Sequence, residues 1–198
     1  MTHIISTIGL GATTFISTNI DDLFVLLLFF STPSIKTSHI VLGQFLGIGA
    51  LTLMSILGSM AVRTVPGIYI GLFGLLPLYL GIKALMDQRK NTKRQSEALE
   101  SLPAKAPVSI LSIAAITLGN GGDNIGVYIP IFSIRSLSEV TLLSIIFMAM
   151  TGIWCVVGAY IARHPLLKRP IQRYGEFIFP WALIALGIYI AISSFLFT

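Results

Sequence analysis

Charge is scarce in this chain and thiols are nearly missing. Asp, Glu, Lys and Arg make up 11% of its 198 residues, and Cys155 is the lone cysteine. One cysteine excludes an intrachain disulfide. No Gly-x-x-x-x-Gly-Lys-Ser/Thr loop occurs, and no soluble domain to house one, so work driven by nucleotide hydrolysis within this chain is excluded. Neither a basic leader nor a small-residue cleavage site accompanies the first apolar run, which is therefore expected to stay as a helix and not to be removed as a signal peptide. Ten-residue alternating segments are lacking too. The run Leu23 to Phe30 is continuously apolar, which argues against a transmembrane barrel.

What the chain has is apolar sequence, 55% of all residues, in runs that reach the length of about 20 residues a helix needs to cross a bilayer. Six spans are predicted, at about 4–30, 40–62, 66–86, 107–133, 139–162 and 176–197. The fold class is an all-α membrane protein. Two of these spans carry acids and amides: Asn19-Ile20-Asp21-Asp22 in the first and Asn120-Gly121-Gly122-Asp123-Asn124 in the fourth. An Asp at mid-span costs about 2.5 to 3.5 kcal/mol to insert, while each Leu, Ile, Phe or Val returns about 0.3 to 0.6. The fifteen such apolar residues between Ile4 and Phe30 supply about 7 kcal/mol against about 5 to 7 for Asp21 plus Asp22. Insertion is near break-even, so the acids must be protonated, paired, cation-bound or facing a wet cavity.

The net charge of +5 does not point to nucleic acid, because of where it lies. With six spans, one face carries Lys36, Lys83, Arg89, Lys90, Lys93, Arg94, Lys105, Arg163, Lys168, Arg169 and Arg173, and the other only Arg63 and Arg135. Eleven against two places both termini outside and the basic linker in the cytoplasm. The charge run 87–105 reads as a solvated loop, with lipid or regulatory binding as the alternative. The linker divides the chain into a three-helix repeat at 1–86, a cytoplasmic linker at 87–106 and a second three-helix repeat at 107–198. Aligning Asn19 with Asn120 puts Asp22 on Asp123, and the third and sixth spans share Leu80-Gly81-Ile82 and Leu186-Gly187-Ile188. Three spans per half force opposite orientations, so the expected relation is two inverted repeats, a common basis of alternating access.

Asn19 and Asp22 are three apart, as are Asn120 and Asp123, which predicts one helical face for each pair. Running the first span inward and the fourth outward brings Asp22 and Asp123 to facing depths. Gly119, Gly121 and Gly122 permit an unwound stretch, and Thr18 and Asn19 are expected to satisfy amides freed in the first half. Carboxylate, amide and backbone oxygens are what hard divalent cations prefer, and a carboxylate also exchanges a proton for an ion. The candidate metal contacts are Asn19, Asp21, Asp22, Asn120, Asp123 and Asn124, with Thr18, Gln44, Gly121 and Gly122 along the pathway. The plain alternative is that these groups only tie helices together.

Other residues carry two readings each. Gln44, between Gly43 and Gly47, either completes a coordination shell or bridges closely packed helices. Cys155, Met148 and Met150 suit a soft metal but are ordinary core fillers. His3, His39 and His164 sit at span ends or in loops and read as interfacial. Glu139 and Glu176 begin spans and read as helix caps. Pro77, Pro130 and Pro180 are tolerated in lipid-embedded helices with or without a role in movement.

Asp22 with the apolar run to Phe29-Phe30, Leu42-Gly43-Gln44-Phe45-Leu46-Gly47, Gly74-Leu75-Leu76-Pro77 with Leu80-Gly81-Ile82-Lys83, and Gly122-Asp123-Asn124-Ile125-Gly126-Val127-Tyr128 together resemble the cadmium-resistance transporter family within the lysine-exporter superfamily. The likeness covers nearly the whole chain, and the Asp-Asn-Ile-Gly-Val block is its most specific part. The resemblance implies a cation exporter of the plasma membrane, with Asp22 and Asp123 as ion contacts. Some cadmium exporters of the family carry a cysteine just before the Gly-x-Asp-Asn block, where this chain has Gly119-Asn120-Gly121. Soft cadmium favours thiolate, whereas an all-oxygen site suits manganese, calcium or magnesium.

The function expected is secondary active export of a divalent metal cation, by exchange for protons or another counter-ion, with no cofactor and no nucleic-acid partner. Oligomeric state, a homo-oligomer included, stays open. The rival reading is an exporter of amino acids or another small organic solute, its pocket walled by Phe24, Tyr128 and Trp154. An intramembrane aspartyl protease also needs two Asp on separate spans, but its Gly-x-Gly-Asp appears here as Asn120-Gly121-Gly122-Asp123, and no Tyr precedes Asp21 or Asp22.

Overall fold

Continuous apolar sequence has one stable form in lipid at these run lengths, the helix, because it satisfies its own backbone. The computed structural model describes residues 2–62, 75–86 and 108–164, with positions 181, 184, 185, 188 and 192 beyond them. Its helices are α1 (Thr2–Thr18), α2 (Ile20–Phe30), α3 (Thr37–Val62), α4 (Leu75–Met86), α5 (Ile110–Asn120), α6 (Gly122–Ser133) and α7 (Leu137–Ala162). Among the described residues there is no strand. The linker 87–106, Arg63, Glu176, Pro180, the start of the third predicted span and nearly all of the sixth lie outside the described residues.

Among the described residues two helices, α3 and α7, are long and apolar enough to cross a membrane unbroken. A third crossing is made if α1 and α2 count as one span, bent by 61° at Asn19. The predicted fourth span is likewise two helices, α5 and α6, parted at Gly121. Helix ends follow local chemistry. Ser31 Oγ and Thr32 Oγ1 donate to the carbonyls of Leu27 and Leu28, at 2.6 and 2.9 Å, and Pro33 follows, so α2 stops there. Ser109 caps α5 by accepting from the Ser112 amide at 3.1 Å. Ser136 and Glu139 form a reciprocal capping box on α7, and Arg135 pairs with Glu139 at 3.1 Å, as the capping reading of Glu139 expects.

Each unbroken helix braces the broken pair from the other half of the chain. Helix α3 packs on α5 and α6, α7 packs on α1 and α2, and α3 and α7 also touch. Close approach of α3 to α5 depends on Gly43 and Gly47. A Cβ on Gly43 would lie 2.6 Å from Ile113 Cβ, and one on Gly47 2.5 Å from Thr117 Cβ. An aromatic cluster fills the centre: Tyr128 lies 4.4 Å from Phe147 between ring centroids, and Phe15 meets Trp154 edge to face at 5.7 Å. Cys155 is buried with Val25, Leu26 and Ile113, while Met148 and Met150 pack on the aromatic cluster, all as core fillers. His39 and His164 contact backbone carbonyls of Val108 and Tyr160, away from the acids.

Candidate functional site

The breaks fall where helix propensity is lowest. Ser17-Thr18-Asn19 places three backbone-competing side chains in succession, and Gly119-Asn120-Gly121-Gly122 removes the side chains that would favour helix. At Asn19 the side chains do the reverse of what was expected of them. Thr18 Oγ1 donates to Thr14 O at 3.0 Å and Asn19 Nδ2 to Phe15 O at 2.9 Å, so both satisfy carbonyls, and α2 has no side-chain cap. The breaks also correct the expectation of one continuous face for each Asn and Asp pair. Asn19 precedes α2 and Asp22 lies in its first turn, while Asn120 ends α5 and Asp123 lies in the first turn of α6. All three acids thus stand at helix amino ends, where the macrodipole favours negative charge.

The two motifs bond to each other crosswise. Asn120 Nδ2 donates to Asp21 Oδ2 at 2.9 Å, and Asn124 Nδ2 donates to Asn19 Oδ1 at 3.0 Å. Asp22 Oδ2 accepts from Gln44 Nε2 of α3, whose Oε1 in turn accepts from Thr117 Oγ1 of α5 at 2.9 Å. Asn19 Nδ2 also reaches the hydroxyls of Thr18 and Tyr128, each at 2.9 Å, and its carbonyl accepts from Trp154 Nε1 of α7 at 2.7 Å. Asn19, Asp22, Gln44, Thr117, Asn124 and Tyr128 are all buried, whereas Asp21, Asn120 and Asp123 are half-buried and Gly122 is exposed.

Three buried oxygens are left without a hydrogen-bond partner in this network: Asp21 Oδ1, Asp22 Oδ1 and Asn124 Oδ1. Each belongs to a side chain whose other polar atom is tied, by Asn120, Gln44 and Asn19 respectively. A buried acceptor left unpaired costs about 1 to 3 kcal/mol, and a proton, a hydrogen-bond donor or a cation would each relieve that cost here. Among the described residues no three of His, Cys, Asp or Glu converge as a metal centre. Asp123 Oδ1 accepts from the Asn124 amide at 3.0 Å, and the carboxylate lies within Coulombic reach of Asp21 and Asp22.

Both polar ends of the Asn19 and Gln44 side chains are engaged in this network. The sequence reading missed Thr117 and offered Tyr128 and Trp154 only as pocket walls under the rival organic-solute reading. Their signal was present: a phenol or indole at mid-span needs a partner for its polar tip. Phe24, the third supposed wall, packs instead with Leu27 and Ile161.

The model of the cadmium resistance transporter family matches residues 15–197. No curated protein and no solved structure matches the chain. The chain therefore belongs to the cadmium resistance transporter family; it is a membrane transporter and not an enzyme.

Proposed function

We propose that this transporter exports a divalent metal cation held between the two helix breaks, with Asp21, Asp22 and Asn124 each supplying one oxygen and Asp123 adding negative charge. The observation that carries the reading is the set of three unpartnered buried oxygens where the first and fourth predicted spans meet. Hard and borderline dications take such donors, and a family named for cadmium gives the substrate class. The absence of sulfur from the donor set favours manganese or magnesium over cadmium as the preferred ion. Export of the cation is exchanged for protons carried on the same carboxylates.

The full architecture in this reading is six spans in two inverted repeats, 1–86 and 107–198, of the lysine-exporter type. Both termini lie outside the plasma membrane and the linker 87–106 lies in the cytoplasm. The reciprocal bracing, α3 on the second broken pair and α7 on the first, supports the repeat. An organic solute is disfavoured because Tyr128 and Trp154 spend their polar tips on Asn19.

The test is flux in proteoliposomes containing an internal pH dye, challenged in turn with manganese, magnesium, calcium and cadmium. Metal entry should release protons from the lumen, and Asp21→Asn and Asp22→Asn should each abolish both signals. Metal flux that persists in both variants rejects the site. Flux that leaves the pH unchanged and ignores an imposed proton gradient rejects proton exchange.

A further inference from the structure

Gln44 bonds through both ends of its amide: Oε1 accepts from Thr117 and Nε2 donates to Asp22. The chain Thr117–Gln44–Asp22 crosses three helices, α5, α3 and α2, and links the two halves of the molecule within its buried interior. An amide in this position has two orientations, related by a half-turn about its last bond. With the amide nitrogen toward Asp22 it donates to a carboxylate oxygen; with the amide oxygen toward Asp22 it repels one. The Asp22 carboxylate, which only accepts, selects the first, and the Thr117 hydroxyl secures it by donating to Oε1.

Gly43 and Gly47 make that second bond possible. Each would drive a Cβ into α5, one at Ile113 and the other at Thr117 itself, so the closeness of α3 to α5 is what brings Oε1 to 2.9 Å from the threonine hydroxyl. The Gly-Gln-Phe-Leu-Gly run of α3 is thus one device: two glycines set the distance and the glutamine uses it.

We infer that Thr117 and Gln44 are positioning residues for the cation, acting in sequence to tie one oxygen of Asp22 and present the other. The role is distinct from ligation. It rests on the cation reading of the same site, and makes Thr117, which touches neither acid in the hydrogen-bond network, a determinant of metal affinity. Removing the threonine hydroxyl takes away the amide's second anchor, so Asp22 is held less firmly while keeping its charge.

The experiment measures uptake of manganese, magnesium, calcium and cadmium, in parallel, by proteoliposomes of wild type, Thr117→Val, Thr117→Ser, Gln44→Ala, the Thr117→Val/Gln44→Ala double variant and Asp22→Asn. Val keeps the shape of Thr and loses the donor. Thr117→Val is expected to raise KM for the transported metal about tenfold with Vmax within about twofold, the size of one charge-assisted hydrogen bond. Thr117→Ser should restore KM to within about twofold of wild type. The double variant should be no worse than Gln44→Ala, because members of one chain are not additive. A wild-type KM in Thr117→Val, an equal loss in Thr117→Ser, or full additivity in the double variant overturns the inference while Asp22→Asn remains inactive. Should Asp22→Asn transport normally, or wild type move none of manganese, magnesium, calcium and cadmium, the cation reading itself fails and takes the inference with it.

Discussion

The two helix breaks differ in what holds them. The first is fixed by side chains arriving from elsewhere: Tyr128 and Asn124 reach Asn19, Trp154 takes its carbonyl, and Gln44 takes Asp22. The second is bonded to the first through Asn120 and Asn124, but its turn is built of glycines. Gly121 is buried, with Leu51 occupying the space a Cβ would need, while around Gly119 and Gly122 no described atom lies within 4 Å of where a Cβ would stand. The lesson is a division of labour. A break clamped by hydrogen bonds from α3, α6 and α7 can hold buried acids at fixed positions, and a glycine break beside it can adapt, since glycine tolerates changes of backbone angle that other residues resist.

If that division is right, the acids of the first break should matter most. Asp21→Asn and Asp22→Asn each remove a carboxylate whose partner amide remains in place, and each should lower metal transport at subsaturating concentration by about 100-fold or more. Asp123→Asn, whose carboxylate already accepts from the Asn124 backbone amide, should cost about tenfold. Initial rates of metal uptake rank the three. Equal losses at all three positions would erase the contrast between the breaks.

The second break sharpens the contrast through two adjacent glycines. Gly121→Ala should overlap the fully buried Leu51 side chain and destabilise the protein by about 2 kcal/mol. Gly122→Ala, with no close neighbour, should stay within about 0.5 kcal/mol of wild type. Thermal unfolding in detergent compares them, and similar melting of the two variants would contradict the packing described.

Smaller effects are expected at the clamps of the first break. Trp154→Phe keeps the ring against Phe15 and loses the donor to the Asn19 carbonyl, for about 1 kcal/mol of stability. Tyr128→Phe should cost about the same, since Asn19 Nδ2 retains the Phe15 carbonyl. Unfolding midpoints measure both. No loss in either variant would mean that the first break is not held from outside.

Much of this was legible in the sequence and some could not be. Runs of Leu, Ile and Val gave 40–62 and 139–162 against observed helices of Thr37–Val62 and Leu137–Ala162, because a helix boundary in lipid follows the apolar run and the Ser136-x-x-Glu139 box. The polar motifs at Asn19 and Asn120 marked the breaks, since insertion energetics make such residues conspicuous. Partner choice was not legible. Trp154 lies 135 residues from Asn19 and Thr117 lies 73 from Gln44, and such pairings are decided by helix packing that local pattern does not encode. Asp21, which aligns with Gly122 and not with an acid, is the acid bonded directly to the second motif through Asn120. The side-chain walls expected of an organic pocket failed for the same reason, as Tyr128 and Trp154 are spent on the backbone and amide of Asn19.

The assignment of Asp21, Asp22 and Asn124 as the cation's oxygen donors is tested most directly by equilibrium binding of manganese and cadmium to the purified protein, wild type beside Asp21→Asn and Asp22→Asn. Wild type should bind one metal ion saturably. Each variant should lose that binding while keeping an unfolding midpoint close to wild type, because Asn can still accept the bond from Asn120 or Gln44. Undiminished binding in both variants would contradict the assignment.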